Sequence, residues 1–137
     1  MTLKTLHQII TFKNATPEEV YDALMDSRKH TIFSGAKAEI DPTVGGTFSA
    51  YDGYITGTNV DLVPGKKIVQ HWHASDWPEK YLSTVTYLLS PLKNGTKVTF
   101  THENIPADDF ANIKQGWIDF YWEPMEEFLT NPHKKTG

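Results

Sequence analysis

Residues 6–12 alternate loosely between apolar and polar and stop before Asn14-Ala15-Thr16-Pro17, which predicts a first strand running into a helix start. The start is specified residue by residue. Thr16 is placed to cap the helix, Pro17 suits the first helical position because its N–H would be unpaired there anyway, and Glu19 completes a capping box. Val20, Tyr21 and Leu24 form the apolar stripe of a helix that runs to Met25. Asp26-Ser27 then offers a second cap, for a short helix ending near Phe33 and stopped by Ser34-Gly35.

Over residues 38–102 the period changes to two, with turn residues at short intervals: Asp41-Pro42, Gly45-Gly46, Asp52-Gly53, Pro64-Gly65, Trp77-Pro78 and Asn94-Gly95. This predicts an antiparallel meander. Asn94-Gly95 reads as a tight type I′ hairpin, since both residues tolerate positive φ. In the last strands Val85, Tyr87, Leu89, Val98 and Phe100 share one face, while Thr84, Thr86, Thr99 and Thr101 share the other. One face is therefore expected in the core and the other in water.

The helical period returns over residues 108–129. Phe110, Ile113, Trp117, Tyr121 and Phe128 line one side, with Ile118, Trp122, Met125 and Leu129 as a flanking stripe, so more than half of the circumference is apolar. Such a helix must lie against the sheet. Asp108 and Asp109 suit its positive start, whereas Gly116 and Pro124 are breakers inside it. Pro124 removes one backbone bond and clashes with the Phe120 carbonyl, which predicts a kink between Phe120 and Pro124. Residues 131–137 are polar and basic and are expected to form a flexible tail after a single domain, 1–130.

The order of a strand, two short helices, about six antiparallel strands and a long apolar helix defines an α+β fold, its curved sheet of six to seven strands closing on the last helix. A helix laid across a curved sheet leaves a gap, and mostly apolar concavities are where ligands bind. This order resembles the helix-grip fold of the START-like, birch-pollen-allergen-like (SRPBCC) superfamily. More specifically, Asp61-Leu62-Val63-Pro64, Ile68-Val69, Trp72, Trp77-Pro78, Ile105-Pro106, Gln115-Gly116-Trp117 and Tyr121-Trp122 are similar to the C-terminal domain of activators of heat-shock protein 90 ATPase. The likeness extends over residues 4–129. It implies a chaperone of the heat-shock protein 90 type as a partner. The co-chaperones of that family carry a separate N-terminal domain, for which 137 residues are expected to leave no room.

Composition narrows the chemistry. Thirteen Lys and Arg against seventeen Asp and Glu give a net charge of −4, without the basic excess of a nucleic-acid binder. The absence of cysteine excludes disulfides, thiol catalysis and thiolate metal sites, and suits a cytoplasmic protein. No segment approaches the 18 apolar residues of a membrane helix, so no membrane insertion is expected. His71 and His73 share a strand face and would need His102 or Glu103 to complete a metal site; without a third ligand at fixed spacing, neither metal nor cofactor is assigned. No serine sits in a G-x-S-x-G elbow, and Gly45-Gly46 opens no phosphate-binding helix.

Seventeen aromatic residues are the one excess, and six of them fall in the final helix. Trp117 and Tyr121 carry polar tips on large apolar bodies, so a buried copy needs a partner or a wet cavity. They are the primary candidates for a ligand site, faced by Trp72, Tyr87 and Phe100, with His102 at the polar end. An apolar small molecule or lipid held there is the first expectation; a chaperone-interaction module is the second. The third is an enzyme pairing His102 with Asp52, Asp76 or Glu103.

Overall fold

A computed structural model describes residues 2–130; the tail expected at 131–137 lies outside the described residues. Strand β1 (Leu3–Lys13) leads through the predicted cap into α1 (Pro17–Met25). The capping box is formed in both directions, Thr16 Oγ1 accepting from Glu19 N–H at 3.1 Å and Glu19 Oε1 accepting from Thr16 N–H at 3.0 Å. Asp26 caps α2 (Ser27–Ser34) by accepting from Lys29 N–H at 2.9 Å, and Gly35 ends it in the left-handed conformation at φ 74°.

Six further strands follow: β2 (Glu39–Ile40), β3 (Thr47–Ala50), β4 (Ile55–Val63), β5 (Lys67–Ala74), β6 (Ser83–Leu92) and β7 (Gly95–Pro106). The seven form one antiparallel sheet in the order β1-β7-β6-β5-β4-β3-β2. Register shifts at Lys4/Leu6 in β1 and Asn59/Asp61 in β4 add local bend and twist to the sheet. The alternation holds as read: Val85, Tyr87, Leu89, Val98 and Phe100 are buried, and the threonines between them are half-buried on the outer face.

The β6–β7 hairpin differs from the sequence expectation in its turn. Leu92 pairs with Gly95, so the loop is Lys93-Asn94, and neither Asn94 nor Gly95 has a positive φ. Gly95 serves a different purpose. It pairs with Lys13 of β1, and a Cβ there would lie 2.4 Å from the Phe12 carbonyl oxygen. Close approach of two backbones, rather than turn conformation, requires the glycine.

After a 3₁₀ turn at Ala107–Asp109 come α3 (Phe110–Trp117), a π turn at Ile118–Trp122 and α4 (Glu123–Thr130). The sheet wraps this helical segment. Ile113, Trp117, Tyr121, Trp122, Met125, Phe128 and Leu129 are buried against it, whereas Phe120 is 55% exposed. The break expected at Phe120–Pro124 takes the form of the π turn, with Glu123 N–H bonded to the Ile118 carbonyl and helical torsions retained on both sides. One added residue in the turn absorbs the proline.

Candidate functional site

Pro124 cannot donate to the Phe120 carbonyl, which an uninterrupted α-helix would require. The Tyr51 hydroxyl donates to that carbonyl instead. Tyr51 stands at the end of β3 with φ 53°, followed by Asp52 at φ 57°, so a left-handed corner of the sheet swings the phenol across to the helix. The corner and the π turn together hold a gap open between the sheet and α3.

The gap is a cleft of about 380 Å³. Its inner wall is Ile55, Trp72, Ile113, Trp117 and Tyr121, all buried; Tyr51 and Phe120 flank it. Its rim is polar. Tyr54 donates to Asp76 Oδ1 at 2.8 Å, Trp77 Nε1–H donates to Asp109 Oδ2 at 2.8 Å, and Asn112 Nδ2 donates to Asp109 Oδ1 at 3.2 Å. Burial, followed by the hydrogen bond and charge of Asp76 and the charge of Asp109, pushes the Tyr54 phenol up to about 12. Burial also raises Tyr51 and Tyr121, so both hydroxyls are neutral at physiological pH.

The six residues singled out from sequence form one aromatic cluster centred on Trp117. Its ring lies 4.5 Å from Phe100, 4.4 Å from Tyr121, 5.7 Å from Trp72, 6.2 Å from Tyr87 and 5.8 Å from His102, between centroids. Only Trp72, Trp117 and Tyr121 reach the cleft. Tyr87, Phe100 and His102 stand behind them in the core.

His102 is fully buried, and both of its ring nitrogens are engaged. Ser83 Oγ–H donates to the Trp72 carbonyl at 2.8 Å, so the same oxygen accepts from His102 Nε2–H at 2.7 Å; His102 Nδ1 accepts from Trp117 Nε1–H at 3.0 Å. The donor count assigns the neutral Nε2–H tautomer. Burial pushes its pKa down to about 3. The three acids weighed as its partners are placed elsewhere: Asp76 accepts from Tyr54, Asp52 accepts from Lys37 N–H, and Glu103 is exposed. His71 and His73 lie half-buried on the outer face of β5, away from the inward His102, and His73 Nδ1 bonds the Tyr81 carbonyl at 2.7 Å. Among the described residues no three His, Asp or Glu side chains are grouped to hold a metal ion.

Sequence reasoning missed the rim. Tyr51, Tyr54 and Asn112 received no role, Asp109 was read only as a favourable charge at the helix start, and Asp76 was weighed only as a partner of His102. The available signal was the pair of tyrosines bracketing Asp52-Gly53, since functional side chains concentrate on loops at the edge of a rigid sheet.

The family described as Activator of Hsp90 ATPase homolog 1-like protein matches residues 14–130. The chain belongs to that family. It is 31% identical over 112 residues to the human activator of 90 kDa heat shock protein ATPase homolog 1, covering 82% of this chain and 33% of that protein. The chain thus spans about a third of the length of such relatives. A crystal structure of an HSP90 activator from Plasmodium falciparum superposes with a TM-score of 0.87 at 32% identity, over 93% of this chain and 97% of that one. The structure of Ara h 8.0201, at 12% identity, superposes with a TM-score of 0.74 over 94% of this chain and 99% of that one, which shows the shared helix-grip fold alone. Among the described residues no helix is long and apolar enough to cross a membrane.

Proposed function

We propose that this domain contacts a chaperone of the heat-shock protein 90 class and stimulates its ATP turnover. The likeness to the Plasmodium HSP90 activator carries this reading, because it extends over nearly the whole of both chains at 32% identity. A cytoplasmic setting belongs to the same reading, and the cysteine-free composition suits it. Steady-state ATP hydrolysis by a purified chaperone of this class, measured over a titration with this chain, is expected to rise to a plateau. Unchanged turnover together with no co-sedimentation would overturn the reading.

A second reading is favoured by the cleft itself. Its 380 Å³ falls within the range of small-molecule sites, and three polar-tipped aromatics, Trp72, Trp117 and Tyr121, stand in its inner wall beside Ile55 and Ile113. In this reading the cleft holds an apolar small molecule. Thermal-shift screening against lipids, sterols and aromatic metabolites is expected to raise the melting midpoint for one class, and a flat result across all of them would remove it.

A further inference from the structure

The cleft has a charge as well as a shape. Asp76 and Asp109 both stand at its rim, and among the described residues no Lys, Arg or His lines it. Among the described residues neither carboxylate forms an ion pair, in contrast to Asp22, Glu39 and Asp61, which pair with Lys29, Lys37 and Lys67 away from the cleft. Three neutral donors, the Tyr54 hydroxyl, the Trp77 indole and the Asn112 amide, are shared between the two carboxylates. Two carboxylates offer about eight acceptor positions, so the donors fix their orientation and leave capacity free.

Asp109 is also diverted from a local task. It occupies the N-cap position of α3, where an aspartate normally accepts from the first turn of backbone N–H groups, yet its side chain makes no capping bond. The carboxylate faces Trp77 and Asn112 at the cleft rim instead. Tyr54 senses Asp76 and Asp109 together, which places both charges around one opening. Behind that opening lie the aromatic side chains of Trp72, Trp117 and Tyr121, with Phe120 at the flank. Aromatic faces attract a cation through the ring quadrupole, and more strongly where water is displaced.

We propose that the cleft is a site for a small organic cation, with a protonated amine at the Asp76–Asp109 rim and an apolar or aromatic body stacked among Trp72, Trp117 and Tyr121. This deepens the small-molecule reading above and rests on it; the chaperone reading is independent of it. The amine donates to the free carboxylate lone pairs, and the body displaces water from the aromatic wall. An anion of the same shape meets two like charges at the entrance and is excluded. Gly116 on α3 leaves room for the body, since a Cβ there would meet only Phe120 Cδ2, at 3.8 Å.

Three probes of one shape test this: 4-phenylbutylammonium, 4-phenylbutan-1-ol and 4-phenylbutyrate, titrated into the ¹⁵N-labelled full chain. The four tryptophan indole N–H signals serve as reporters, because Trp77 bonds the rim and Trp117 bonds the core. The ammonium is expected to shift both signals and to bind about tenfold more tightly than the alcohol, an advantage that shrinks with added salt, while the butyrate does not bind. In Asp76→Asn/Asp109→Asn, whose amides still accept from Tyr54 and Trp77, ammonium and alcohol should bind alike. Gly116→Leu should fill the cleft and abolish both, with the far-UV spectrum reporting that the fold is kept. Equal binding of ammonium and alcohol to the unsubstituted chain would overturn the cation assignment and leave an apolar site; binding of none of the three would overturn the ligand reading with it.

Discussion

At the scale of single residues, the two buried histidines are the most informative groups, because each is held neutral by its surroundings. His102 sits among Trp72, Trp77, Phe100 and Trp117 with both nitrogens bonded, and burial drops its pKa to about 3. His30 lies against Phe33 and Tyr121; its Nδ1–H donates to the Leu24 carbonyl at 3.1 Å, its Nε2 has no partner among the described residues, and burial lowers its pKa to about 4. Both folded values lie below the ordinary 6.5, so below that pH the unfolded chain binds protons that the folded chain refuses. Stability is therefore complete above pH 6.5 and falls as the solution is acidified, with a slope approaching about 1.4 kcal/mol per pH unit for each histidine. His102→Gln keeps a donor for Ser83 and an acceptor for Trp117 but cannot take up a proton. Urea unfolding of the two proteins over about pH 5 to 6 should give slopes against pH that differ by one proton; identical slopes would show that His102 titrates normally in the folded state.

At the scale of elements, the C-terminal segment shows how a local defect becomes a design feature. Pro124 removes the donor for the Phe120 carbonyl, the chain inserts a π turn, and Tyr51 from the far edge of the sheet supplies the missing hydrogen bond. The proline therefore creates the reason for the tyrosine. Restoring an N–H with Pro124→Ala lets the helix satisfy Phe120 internally, so the two positions should be energetically coupled. Tyr51→Phe is expected to cost about 1 kcal/mol in the native background, the net value of a typical hydrogen bond, and close to nothing in the Pro124→Ala background. Additive effects in this double-mutant cycle would mean that the Tyr51 bond carries no weight. The same contact fixes the mouth of the cleft, because Tyr51 and Phe120 flank it.

At the scale of the whole molecule, what could be read from the sequence was whatever local chemistry dictates. The capping box at Thr16–Glu19, the Asp26 cap, the Gly35 stop and the alternation from Val85 to Phe100 each depend on neighbours a few residues away, and each was legible. Trp72, Trp117 and Tyr121 were legible as cleft residues because large polar-tipped aromatics on inward faces have few other uses. The rim was not, since Tyr54, Asp76 and Asp109 come from three separate connections and meet only after the sheet has closed. Gly95 was misread for a related reason: the atom it must avoid belongs to Phe12, more than eighty residues earlier in the chain. These long-range ties converge on the C-terminal helix. Trp122 Nε1–H donates to Gln8 on β1 at 2.8 Å, Phe33 of α2 lies 5.9 Å from Tyr121 and 6.3 Å from Phe128, and Trp117 packs on the sheet centre. With the first strand, the short helices and the sheet all fastened to one segment, no part has a core of its own to keep when that segment leaves. Near-ultraviolet circular dichroism, which reads the tryptophan cluster, and the far-ultraviolet signal of the backbone should therefore follow one urea transition with a common midpoint. A separate, earlier transition of helical signal would show that α1 and α2 unfold independently and that Phe33 and His30 do not bind them to the core.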